Sequence, residues 1–131
     1  MPNLTGKVAI VTGSTKGIGL AVAERLINEG ASVAVTSRTA SDVESVAGRL
    51  GDNAIGIVCD VADPESCAEL VEKTVEHFGR LDVLVNNAGL GIFKPIGEMS
   101  VEEWRLQVDV NLGGVFYCSK AALPHRSASG G

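Results

Sequence analysis

The feature that most constrains this chain is the passage from a continuous apolar run, KVAIVT at 7–12, into a turn with glycines at 13, 17 and 19. A strand that is apolar without alternation is covered on both faces, as strands of parallel sheets are. The residues after the turn change period. Ile18, Val22 and Leu26 recur every four positions with Ala21 beside them, and Gly30 closes the helix they predict. The alternation then continues. SVAVTS (32–37), NAIGIVC (53–59) and LDVLVN (81–86) read as further strands, and 40–50 reads as a polar helix. Asp63 before Pro64 is an N-cap with proline at the first helical position, opening a helix to Phe78. Ser100 and Glu103 form a capping box for a long helix expected to end before Pro124, leaving a polar tail at 125–131 expected to fray. Strand and helix alternating without internal repeat or long linker predict a single α/β domain over 1–131, with a parallel sheet of about four strands and crossover helices on both faces.

Composition removes several classes of function. The 131 residues are 45% hydrophobic and 21% charged, enough apolar material for one core. A net charge of −5 without a basic run argues against a nucleic-acid surface. No apolar stretch approaches the length of a membrane span, and MPNLTGKVAIV lacks the pattern of a signal peptide. Cys59, Cys67 and Cys118 are odd in number and far apart in sequence, so they fit neither a disulfide framework nor a zinc pattern. Reduced thiols in a cytoplasmic protein are expected. His77 and His125 are isolated, and no metal site is expected.

The glycine turn, TGSTKGIG at 12–19, carries the chemistry. The first glycine permits a tight turn off the strand, and the later ones let backbone approach a pyrophosphate and the helix pack on the sheet. The helix N-terminus then turns free N–H groups and a positive dipole end toward phosphate. A glycine trio alone also serves purely structural turns. A P-loop is ruled out, because Lys16 is followed by Gly17 and not by Ser or Thr.

The spacing T-G-x-x-x-G-x-G resembles the short-chain dehydrogenase/reductase family, and three further motifs follow in that family's order: CDV at 59–61, NNAG at 86–89, and Asn111 within VDVNLGG. The resemblance covers residues 6–124. It implies a Rossmann-like, doubly wound sheet of order 3-2-1-4. It also implies a dinucleotide site built from Gly13, Ser14, Thr15, Lys16, Gly17, Ile18 and Gly19, with Arg38, Asp60, Val61, Asn87, Ala88 and Gly89. Asn111 matches the asparagine of the family's catalytic proton relay.

No Asp or Glu lies between Gly30 and Asp42, where an NAD-selective site places an acid for the ribose 2′-OH. Arg38 instead follows the second strand, and Lys16 projects from the turn. Two cations near one spot suit a 2′-phosphate, so NADP(H) is favoured over NAD(H). Both residues also read as ordinary solvated loop charges.

The family's hydride transfer needs a tyrosine whose pKa a lysine lowers, spaced Tyr-x-x-x-Lys after a fifth strand, and a serine from that strand. Tyr117 and Lys120 are a look-alike: their spacing is three, and they lie on the Asn111 helix, one strand too early. Ser119 between them points elsewhere. Tyr117 is the only tyrosine. The resemblance therefore implies an NADP(H)-binding member of an oxidoreductase family that is catalytically incompetent as this chain alone. The alternative is a noncatalytic nucleotide-binding or protein-interaction module. Strand four would be an exposed apolar edge, so a homo-oligomer covering it and the helix at 101–122 is expected.

Overall fold

A computed structural model describes the backbone of residues 3–129 and the side chains of residues 3–125. Four parallel strands, β1 (Val8–Val11), β2 (Ser32–Ser37), β3 (Ala54–Val58) and β4 (Val83–Val85), form one sheet in the order β3-β2-β1-β4. Ile10 pairs with Ala34 on one side and Leu84 on the other, so β1 is central and β4 stands at an edge. β2 spans its whole run, while β1 and β3 are two residues and β4 three residues shorter than the runs that announce them, because those run ends turn into the connecting loops.

Helices α1 (Gly17–Asn28) and α2 (Ala40–Leu50) cover one face. Their layer is built from Ala9, Val11, Val33 and Val35 of the sheet with Ala23 and Val46 of the helices. Gly56 lets α2 lie directly on β3, since a Cβ there would stand 2.6 Å from the Val43 carbonyl oxygen. The opposite face packs Ile10, Ala34, Ile57 and Cys59 under Leu70 and Val71 of α3 (Pro64–Phe78) and Cys118 and Ala122 of α5 (Gly114–Ser129). Ile10 and Leu70 are fully buried. Cutting either to alanine would cost about 2–5 kcal/mol in lost transfer energy and cavity.

Local capping follows the sequence. The Asp63 carboxylate accepts from Glu65 N at the start of α3, and Ser100 and Glu103 complete their capping box at α4 (Val101–Val108). The long helix expected after Ser100 differs in two respects. Between α4 and α5 its winding loosens into a π turn at Asp109–Gly113, which carries Asn111. It also continues through Pro124 to Ser129 instead of stopping before the proline. Proline deletes one backbone donor and strains the turn before it without forbidding the following turn. Residues 125–129 are therefore helical, and Gly130 and Gly131 of the expected frayed tail lie outside the described residues.

No helix among the described residues is long and apolar enough to cross a membrane. Among the same residues, no group of His, Cys, Asp or Glu is placed to hold a metal ion.

Candidate functional site

The carboxyl ends of the four strands open into a groove of about 550 Å³. Such crevices, where neighbouring crossovers leave in opposite directions, are the binding places of doubly wound sheets. Its first wall is the glycine turn. Gly13 and Gly17 hold φ of 62° and 60°, left-handed values that side chains disfavour. A Cβ on Gly19 would fall on the Gly13 carbonyl oxygen and the Asn87 amide, so only glycine lets α1 begin beneath the turn. The N-terminal turn of α1 has no side-chain cap, in contrast to α3 and α4. Its donors and its dipole face the groove.

Thr12 ties this turn to the end of β4. Its Oγ1 accepts from Asn87 N and Ala88 N, each at 2.9 Å, while the Asn87 amide donates to Gly13 O at 3.1 Å. The NNAG segment therefore braces the glycine turn and also lines the groove with Asn87, Ala88 and Gly89.

The structure brings most of the residues expected at this site together. Gly13, Thr15, Lys16, Gly17, Ile18, Arg38, Asp60, Val61, Asn87, Ala88 and Gly89 all line the groove. Three do not. Ser14 is fully buried, with its Oγ donating to Val11 O at 2.7 Å and accepting from Thr36 N at 2.9 Å. Its own N–H donates to Thr36 O at 2.9 Å, so Ser14 clasps the turn to β2. Gly19 lies under the turn. Asn111 is exposed and outside the groove wall: its Oδ1 accepts from Leu90 N and its Nδ2 donates to Leu90 O, each at 2.8 Å. Both amide atoms are thus committed to the loop after NNAG. Gly114 keeps this part of the helix close, since a Cβ there would stand 2.9 Å from the Val61 side chain.

Asp60 is shaped by its own loop. Its Oδ1 accepts from Ala62 N at 3.0 Å, and its backbone N donates to Ser66 Oγ at 2.9 Å. Several wall residues had no motif to mark them: Thr36, Ser37, Thr39, Asp42 and Leu90. Asp42 is the most consequential, because it places an acid in the groove where the strand itself offers none.

Cys59, Cys67 and Cys118, far apart in sequence, meet beneath the groove as three buried free thiols. The Cys67 thiol beside Cys59, together with burial, pushes the Cys59 thiol well up. Cys118 beside Cys67, with burial, pushes Cys67 up to about 12. These are unreactive packing thiols.

Tyr117 and Lys120 face away from this chemistry. They line a second groove between α3 and α5 with Glu72, Phe116 and His125. Lys120 Nζ lies 5.9 Å from the Phe116 ring centroid, and the Tyr117 ring packs against Gly113.

Comparison with known proteins agrees with this geometry. Residues 7–131 match the short chain dehydrogenase family. An uncharacterized oxidoreductase of Staphylococcus saprophyticus is 45% identical over 128 residues, covering 95% of this chain and 55% of the relative. Glucose 1-dehydrogenase 2 of Bacillus subtilis is 43% identical over 128 residues, covering 94% and 50%. Among solved structures, the 3-ketoacyl-(acyl-carrier-protein) reductase of Brucella melitensis complexed with NADH superposes with a TM-score of 0.92 at 35% identity, covering 98% of this chain and 54% of that one. A blue fluorescent protein from a metagenomic library, in complex with NADPH, gives a TM-score of 0.87 at 37% identity, with coverage of 93% and 52%. The chain thus spans about half the length of the relatives it matches. By its glycine turn, its sheet order and these likenesses, the chain belongs to the short-chain dehydrogenase family.

Proposed function

We infer that this chain is the dinucleotide-binding part of an oxidoreductase that uses NADP(H) on a carbonyl or alcohol substrate. The observation that carries the cofactor reading is the convergence of Lys16 and Arg38, from different loops, on one groove that also holds the uncapped start of α1. Pyrophosphate suits the α1 N-terminus, and a 2′-phosphate suits the two cations, with the Arg38 guanidinium able to donate two parallel hydrogen bonds. Asp60 and Val61 line the same groove, and the family resemblance gives the Asp60 position to the adenine. A bound nicotinamide ring supplies the hydride chemistry. This chain's residues bind and orient the dinucleotide, and Asn111 holds the Leu90 loop as a positioning residue. The chain alone carries out no turnover in this reading, because no Tyr-x-x-x-Lys pair accompanies Asn111. We also assign it a cytoplasmic setting, supported by three buried free thiols and checked by cell fractionation.

NAD(H) is the second reading, favoured by Asp42 in the groove wall, whose carboxylate is of the type that binds a ribose 2′-OH. Titration of NADPH and NADH by cofactor fluorescence decides between them. Arg38→Ala should weaken NADPH about 10- to 100-fold, the worth of one or two charge-assisted hydrogen bonds, and leave NADH nearly unchanged. Equal losses for both cofactors would contradict the 2′-phosphate assignment. No binding of either would leave a noncatalytic interaction module, and turnover of simple carbonyls would overturn catalytic incompetence.

A further inference from the structure

Thr36 is the groove residue whose side-chain chemistry the fold does not use. It is 1% exposed, and its Oγ1 is buried with no hydrogen-bond partner among the described residues. Its backbone is fully employed, since its N–H donates to Ser14 Oγ and its carbonyl accepts from Ser14 N. The backbone is thereby held in place.

Thr36 belongs to the groove wall. Thr36 follows Ala34 by two residues and pairs with Ile57, so its side chain rises on the sheet face of Ile10, Ala34 and Ile57. It does so at the carboxyl end of β2, where the groove wall is shared with Arg38, Cys59, Asp60 and Val61. A buried hydroxyl left unpaired is a net cost to the folded state. Valine has the same shape and would avoid that cost, and β2 uses it at Val33 and Val35. A partner from outside the described residues would remove that cost.

We propose that the Thr36 hydroxyl is a binding group of the nucleotide site, paired by the adenosine half of the bound dinucleotide. This rests on the reading of the groove as a dinucleotide site and adds to it a residue that no glycine or basic motif marks. A hydroxyl both donates and accepts, so it matches a ring nitrogen, an amino group or a ribose hydroxyl. The nicotinamide half gains nothing from it.

The test compares the native 131-residue chain with Thr36→Val and Thr36→Ser. Calorimetry would measure NADPH, 2′,5′-ADP and nicotinamide mononucleotide binding, and thermal melts would be recorded without ligand. Thr36→Val should weaken NADPH and 2′,5′-ADP about 5- to 10-fold and leave nicotinamide mononucleotide unchanged. Its ligand-free melting temperature should equal or exceed the native one. Thr36→Ser, which keeps the hydroxyl, should stay within about twofold of native affinity. The proposal is overturned by native affinity in Thr36→Val, by equal loss in Thr36→Ser, or by a lower ligand-free melting temperature in Thr36→Val, which would reveal a partner inside the protein. A native chain that binds neither NADPH nor 2′,5′-ADP removes the dinucleotide reading and this proposal together. Native affinity persisting in Thr36→Val removes the proposal alone.

Discussion

Removing the Asp82 carboxylate should destabilise the sheet at the end opposite the groove, and the loss should shrink in acid. Asp82 precedes β4 and is 3% exposed. Its Oδ2 accepts from Val8 N at 2.9 Å and from Arg80 Nε at 2.8 Å, and its Oδ1 accepts from Arg80 Nη2 at 2.6 Å. Asp82→Ala leaves the buried Val8 N–H unpaired and removes a charged acceptor, which costs about 2–3 kcal/mol. The Arg80 side chain is 40% exposed, so water replaces most of what it loses and its share is set aside. Burial alone would push the Asp82 carboxyl up. The Arg80 guanidinium, the Val8 N–H and the Lys7 charge outweigh burial and hold it below its ordinary value. A depressed folded-state pKa stabilises the protein above the unfolded value of about 3.9, and that stability is lost as pH falls through the folded value. Urea unfolding followed by circular dichroism at pH 7, 5, 4 and 3 should therefore show a constant gap between native and Asp82→Ala at pH 7 and 5. The gap should shrink below about pH 4. The reasoning fails if the two chains lie within about 0.5 kcal/mol at pH 7, the scatter of ordinary surface substitutions. It also fails if the gap persists unchanged at pH 3.

Two other predictions concern surfaces and thiols. Phe93, Ile96 and Leu112 are 97%, 94% and 70% exposed, and β4 is a half-buried edge strand. We propose that a second copy covers this face and the helix at 101–122; a monomeric mass by light scattering at micromolar concentration, with a cooperative melt, would refute it. The second concerns iodoacetamide at pH 8, which should modify Cys67 at least about 100-fold more slowly in the native chain than in urea, because the folded thiol ionises near 12 and the unfolded one near 8.5. Equal rates would show that the thiol cluster opens readily.

What the sequence disclosed was local, and what it concealed was tertiary. The β1 run, the glycine turn and the α1 period are contiguous, so strand, turn and helix could be read in place. The Asp63–Pro64 start of α3 and the Ser100/Glu103 capping box are likewise fixed by residues within one turn of each other. The order 3-2-1-4 came from the family resemblance, and the strand register bears it out. The π turn was not legible, because its partners are Leu90 and Val61, which approach only in the folded chain; the adjacent Gly113 and Gly114 were the available signal. Ser14 has a place in the motif but is turned inward by β2. Thr12 and Asp42 carry site roles that depend on loops more than 20 residues away in one case and on a helix start in the other. The cysteines looked scattered because the loop just after β3, α3 and α5 each deliver one.

The clasp between Ser14 and Thr36 has a consequence for how the groove meets its ligand. With Ser14 N bonded to Thr36 O and Thr36 N bonded to Ser14 Oγ, the glycine turn and the end of β2 form one stiff corner. Lys16 and Arg38 extend from the two arms of that corner, so the backbone spacing between them is set before any nucleotide arrives. Little ordering entropy is then spent on closing the walls, and discrimination between cofactors rests on side-chain chemistry at a fixed span. Exchanging residues 38 and 42 would retune such a corner. Lengthening either loop would loosen it and blur the choice.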